Sequence, residues 1–87
     1  MSLSRHMQRA HAAQLRQNAR KRAILTDRII QTALDQRRFI QLTGRRDPGL
    51  ANTLYMLTTE IVNLGASTSD LHAIGRRVNQ ALEDERQ

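Results

Sequence analysis

From Ala12 to Leu42 the chain contains neither Gly nor Pro, in a protein of only 87 residues. Over that stretch Leu15, Ala19, Ile29, Ile30, Ala33 and Ile40 fall on one side of a helix at about 100° per residue, and Leu25 widens the stripe. An uninterrupted helix of this length leaves too little chain for a sheet, so everything else must pack along it. Arg16, Arg20, Lys21, Arg28 and Arg38 point away from the stripe. Arg22 and Arg37 fall on its apolar side, where each must either snorkel outward along its stem or meet a carboxylate.

Local punctuation divides the rest. Gly44 suits the left-handed position after a helix that ends near Thr43, with Arg37 and Arg38 complementing its negative pole. Asp47 can cap a second helix while Pro48 occupies its first turn, where a missing N–H costs nothing. Leu50, Leu54, Leu57, Ile61 and Leu64 then advance by four, three, four and three, the spacing of a seam that packs on another helix. Gly65 ends that segment, and Ser67 to Asp70 reads as the cap of a third helix with Leu71, Ile74, Val78 and Leu82 on its apolar face. Glu83, Asp84 and Glu85 crowd the negative end of that helix, so its last turn is expected to fray. The expected fold is all-α: a long basic first helix followed by a helical hairpin, one domain over residues 1–87 with residues 1–8 flexible.

The interior must be built almost wholly from aliphatic side chains, since Phe39 and Tyr55 are the only aromatic residues and Trp and Cys are absent. A chain this short hides only about 60 to 65 per cent of its unfolded surface. A homo-oligomer would make up the shortage, with Leu50, Leu54, Leu57, Ile61 and Leu64 as the expected interface. Without Cys there is no disulfide framework and no thiolate metal site. No apolar run approaches the roughly 18 residues a membrane span needs, and a cytoplasmic protein without a membrane partner is expected.

Charge is distributed unevenly along the chain. Residues 1 to 46 hold eleven basic and two acidic side chains, a net +9, whereas residues 47 to 87 hold three and six, a net −3. Thirteen of the fourteen cations are Arg; a GC-rich genome raises Arg at the expense of Lys, so that ratio alone is no binding signal. The placement is more telling. Arg5, Arg9, Arg16, Arg20, Lys21, Arg22 and Arg28 would form a ridge about 35 Å long on a continuous helix, and phosphates would release condensed cations on meeting it. Of these, Arg9, Arg16, Arg20, Lys21, Arg22 and Arg28, with Arg76 and Arg77 of the third helix, are the candidate contacts to nucleic acid, DNA before RNA. The alternative is a protein-interaction module, an adaptor or an assembly subunit of a larger complex, whose basic face meets an acidic protein.

Two shorter patterns bear on the same question. Gly65, Ser67, Leu71 and Ile74 meet the demands of the turn and second helix of a helix-turn-helix, which would present Thr68, Ser69, His72 and Arg76 to DNA. The alternative is an ordinary helical hairpin. Residues 71–80 carry Leu71, then Ile74 and Gly75, then Val78, Asn79 and Gln80, and this spacing resembles a helix of bacterial plasmid mobilisation accessory proteins. The resemblance implies a small, non-enzymatic relaxosome component that binds near a transfer origin. That family usually opens with a ribbon-helix-helix, and Arg22 to Asp27 is the only stretch here that could supply its strand.

Catalytic and metal chemistry finds no set of residues. His6 and His11 stand five apart and do not share a helix face, and neither has a carboxylate close by. The expectation is a protein without cofactor, metal or catalytic centre.

Overall fold

A computed structural model describes residues 2–86, with side chains from Arg5 onward; Met1 and Gln87 lie outside the described residues. Three helices account for nearly all of it: α1 (Ser2–Thr43), α2 (Pro48–Asn63) and α3 (Thr68–Arg86). The described residues contain no strand, so Arg22 to Asp27 is helical and a ribbon-helix-helix opening is ruled out. α1 begins at Ser2, ahead of the stripe that starts at Leu15.

Each boundary follows from its punctuation. Gly44 adopts φ +73° and returns its N–H to the Ile40 carbonyl at 2.7 Å. The Asp47 carboxylate accepts from the amides of Gly49 (2.7 Å) and Leu50 (3.1 Å), with Pro48 in the first turn of α2. At the other end, Gly65 at φ +96° donates to the Val62 carbonyl while Ala66 donates to that of Ile61, a Schellman closure. Ser67 and Asp70 form a reciprocal capping box: the Ser67 amide donates to the Asp70 carboxylate at 2.9 Å, and the Asp70 amide to Oγ of Ser67 at 3.1 Å. The Ser67 amide donating to it, then the Ser67 hydroxyl and the charge of Arg22, hold the Asp70 carboxyl below the usual carboxylate range.

Both short helices lie along α1. Gln36 meets Asp47 at one end of α2 and Arg22 meets Leu64 at the other, so α2 runs antiparallel to α1. Arg77–Asp27 and Arg38–Glu85 show that α3 runs back parallel to it. Close backbone approaches join α1 to α2 and α1 to α3, and none joins α2 to α3. The hairpin is thus laid open on a third helix, unlike the crossed pair of a helix-turn-helix, and Thr68, Ser69, His72 and Arg76 are all exposed.

The core is thin. Leu25 and Ile29 of α1 meet Leu57 and Ile61 of α2, with Leu71, Ile74 and Val78 of α3 packed against them. Leu57 and Ile61 are 8% and 1% exposed within a single chain, and Leu50, Leu54 and Leu64 are half-buried. The seam expected to join copies is therefore the face that α2 seals against its own α1. Leu15 and Ile40, expected on the buried stripe, are 53% and 37% exposed, because α2 and α3 cover only the middle of it.

Gln36 is a buried polar residue in this apolar setting. Its amide pairs twice with the connection to α2, accepting from the Asp47 amide at 2.9 Å and donating to the Asp47 carbonyl at 3.0 Å. Gln36→Ala should cost about 2 kcal/mol in urea unfolding, because it strips a part-buried amide of its partner. Gln36→Glu should recover little of that, since it loses the donor to the carbonyl.

Candidate nucleic-acid interface

A 42-residue helix is about 63 Å long, and the molecule measures 62 × 26 × 18 Å, so α1 sets its long axis. Ala19 borders a depression shared with α2 and α3, and Arg22 makes a hydrogen bond to the end of α2. Ahead of them α1 projects as a bare arm, on which Met7 and Leu15 are solvent-exposed. The first 26 residues contain six cations and no carboxylate.

The structure sorts the eight expected contact residues into distinct groups. Arg9, Arg16 and Arg20, joined by Arg5, lie within about 60° of one another around the helix, at spacings of four, seven and four. All four are exposed. They span about 22 Å of the arm, and none takes part in an ion pair among the described residues. Lys21 and Arg28 are also exposed but lie about 120° around the helix from this line, and Lys21 shares a shallow depression with Glu60. Arg77 is 3.4 Å from Asp27, an exposed pair worth at most about 1 kcal/mol that leaves the guanidinium accessible. Arg76 falls on the side of α3 opposite Leu71, Ile74 and Val78, away from the line.

Arg22 is a correction. It does not run out to solvent, and it forms no ion pair among the described residues, although its charge reaches Asp70. Its guanidinium donates to the Leu64 carbonyl at 2.6 Å, satisfying an acceptor at the C-terminus of α2 where the helix dipole is negative. Arg37 donates to the Leu82 carbonyl, about one turn before the end of α3, and so does not serve the end of its own helix. Arg38 likewise turns away from that end, to Glu85 and Asp35. The pairing with Glu85, and that of Arg86 with Glu83, relieves the acidic crowding of the last turn of α3, which remains helical to Arg86. The signal available in the sequence was the position itself: a cation on an apolar face has to find an acceptor, and the ends of neighbouring helices supply carbonyls.

Adjacent arginines thus have opposite roles. Arg22→Ala should lower unfolding free energy by about 2 kcal/mol through the lost charge-assisted bond, whereas Arg20→Ala should stay within about 0.5 kcal/mol. Thermal unfolding of the two variants checks this.

The arm is an unfavourable helix on its own. Arg5 with Arg9 and Arg16 with Arg20 are like charges at i,i+4, and the first turn offers no acidic side chain to the positive pole. Neighbouring cations along a partnerless helix are relieved by an anion. Among the described residues, no helix is long and apolar enough to cross a membrane. The chain matches no protein-family model, no curated protein and no solved structure, so the chemistry of the arm stands on its own residues.

Proposed function

We propose that this chain is a non-enzymatic nucleic-acid-binding accessory protein, with duplex DNA as its partner and the arm of α1 on the phosphates. One observation carries this reading: Arg5, Arg9, Arg16 and Arg20 stand in line, exposed and outside any ion pair among the described residues, along the end of α1 that projects beyond the other helices and the turn where it first meets them. A helix about 10 to 12 Å across fits the B-DNA major groove, about 12 Å wide, whereas the deep, narrow groove of A-form RNA excludes it. The resemblance of residues 71–80 to mobilisation accessory proteins would place this binding at a transfer origin. Leu71, Ile74 and Val78 have a packing role against the core as well.

Fluorescence anisotropy with a labelled DNA duplex and the same sequence as RNA duplex tests the proposal at near-physiological salt. A Kd in the range of about 1 to 100 µM for DNA, with weaker binding to RNA, is expected for sequence-independent contacts. If neither duplex binds at about 100 µM, the reading fails and the basic arm belongs to an acidic protein partner.

A further inference from the structure

The second helix carries two seams side by side. Leu50, Leu54, Leu57 and Ile61 face α1; displaced by one residue, Ala51, Tyr55, Thr58 and Val62 repeat the same four-three-four spacing. The second seam has no partner within the chain: all four residues are exposed, Tyr55 by 73% and Val62 by 45%. It borders an open groove of about 440 Å³ between α2 and α3, floored by Ile29 and Ala33 and walled by Leu54, Thr58, Ile74 and Val78. No ionisable side chain lines that groove.

The geometry points to this seam as a homodimer interface, in which α2 of a second copy lies along the second seam at the mouth of the groove. Charge selects the occupant. A two-fold interface sets one patch against the same patch of the copy, residue i meeting j and j meeting i, and a chain of net +6 repels its copy wherever its arginines meet. Glu60 is the only charged residue between Pro48 and Asn63, and it lies far around α2 from the second seam. Arg37 and Arg46 flank only its Ala51 end, and in an antiparallel two-fold pairing the two such ends lie apart, so this face can meet itself without opposing like charges. Its Tyr and its lack of charge are also what interface centres select.

Area supports the same occupant. The chain exposes 6833 Å², whereas a compact monomer of 10.0 kDa exposes about 5,200 Å². The excess of about 1,600 Å² equals the whole of a standard interface, to which each partner contributes about 800 Å². The bare arm supplies part of that excess, and the second seam of α2 supplies an apolar share with Tyr55 and Val62.

The proposal does not depend on the nucleic-acid reading, and its test contains no nucleic acid. Sedimentation equilibrium of the intact chain at about 50 µM and near-physiological salt should give twice the 10.0 kDa chain mass. Tyr55→Arg with Val62→Arg should weaken the dimer at least about 30-fold, as loss of a central anchor does, with helix content by circular dichroism unchanged because both sites are exposed. The chain has no native Cys, so a single introduced thiol reports proximity cleanly. Thr58→Cys, on the second seam, should cross-link between chains under mild oxidation much faster than Thr53→Cys, on the opposite side of α2. A wild-type chain at monomer mass, an arginine variant that stays dimeric, or equal cross-linking at the two positions would each overturn the proposal.

Discussion

Ile61→Ala should lower the unfolding free energy by about 3 kcal/mol, and Ile61→Asp should remove the cooperative transition altogether. Ile61 is the most buried large side chain, at 1% exposure, and sits where Leu25, Ile29 and Leu57 converge. Truncating such a residue removes its transfer free energy and leaves a cavity, for about 2 to 5 kcal/mol in all. At about 0.05 to 0.15 kcal/mol per residue, a chain of 87 residues has only about 4 to 13 kcal/mol of stability. A carboxylate at that position would find no hydrogen-bonding partner among the aliphatic side chains, and the desolvation cost exceeds what a core of five buried hydrophobic residues can absorb. Val62 is the internal control: one residue along and 45% exposed, it should tolerate Ala within about 0.5 kcal/mol as a monomer. Urea unfolding monitored by helix content separates the cases. An Ile61→Ala loss under about 1 kcal/mol would mean that α2 is not held on α1 by this face.

The second large effect is on binding. Changing Arg5, Arg9, Arg16 and Arg20 together to Ala should reduce the slope of log affinity against log salt by about 3.6, since each phosphate neutralised on B-DNA contributes about 0.9. Between 50 and 200 mM salt four such contacts cost about 150-fold in affinity, so the wild type should weaken by at least that factor and the variant by far less. Loss of helix cannot account for this result. Ala is the best helix former, and its introduction removes two like-charge pairs at i,i+4. Lys21→Ala with Arg28→Ala, two cations on another face of α1, should reduce the slope by less than half as much. A slope unchanged in the fourfold variant would remove the arm from the interface. Anion binding should also stabilise the helix of the wild-type arm against thermal loss, because it neutralises the like-charge pairs along it.

The binding line was only partly legible in the sequence. The excess of cations in the first half is visible by inspection, and the angular agreement of Arg9, Arg16 and Arg20 follows from spacing once the helix is known to be continuous. Arg22 belonged to the same list by charge and position alone. Only the placement of the α2 terminus beside it turned that guanidinium inward to a carbonyl. Gln36 gave no sequence signal either, since a polar residue on an apolar stripe is indistinguishable from an interruption until the chain it clamps is in place.

The residues by themselves determined the helices and where they stop, because Gly44, Asp47 with Pro48, Gly65, and Ser67 with Asp70 act through hydrogen bonds only a few residues long. Only the tertiary structure decided which of the two seams of α2 is buried, and which cations are taken up by neighbouring helix ends. The physical reason is rotational. Helical periodicity states what lies on each face, but a partner's direction depends on how the short connections turn α2 and α3 about α1. One residue of register separates the core seam through Ile61 from the exposed seam through Val62.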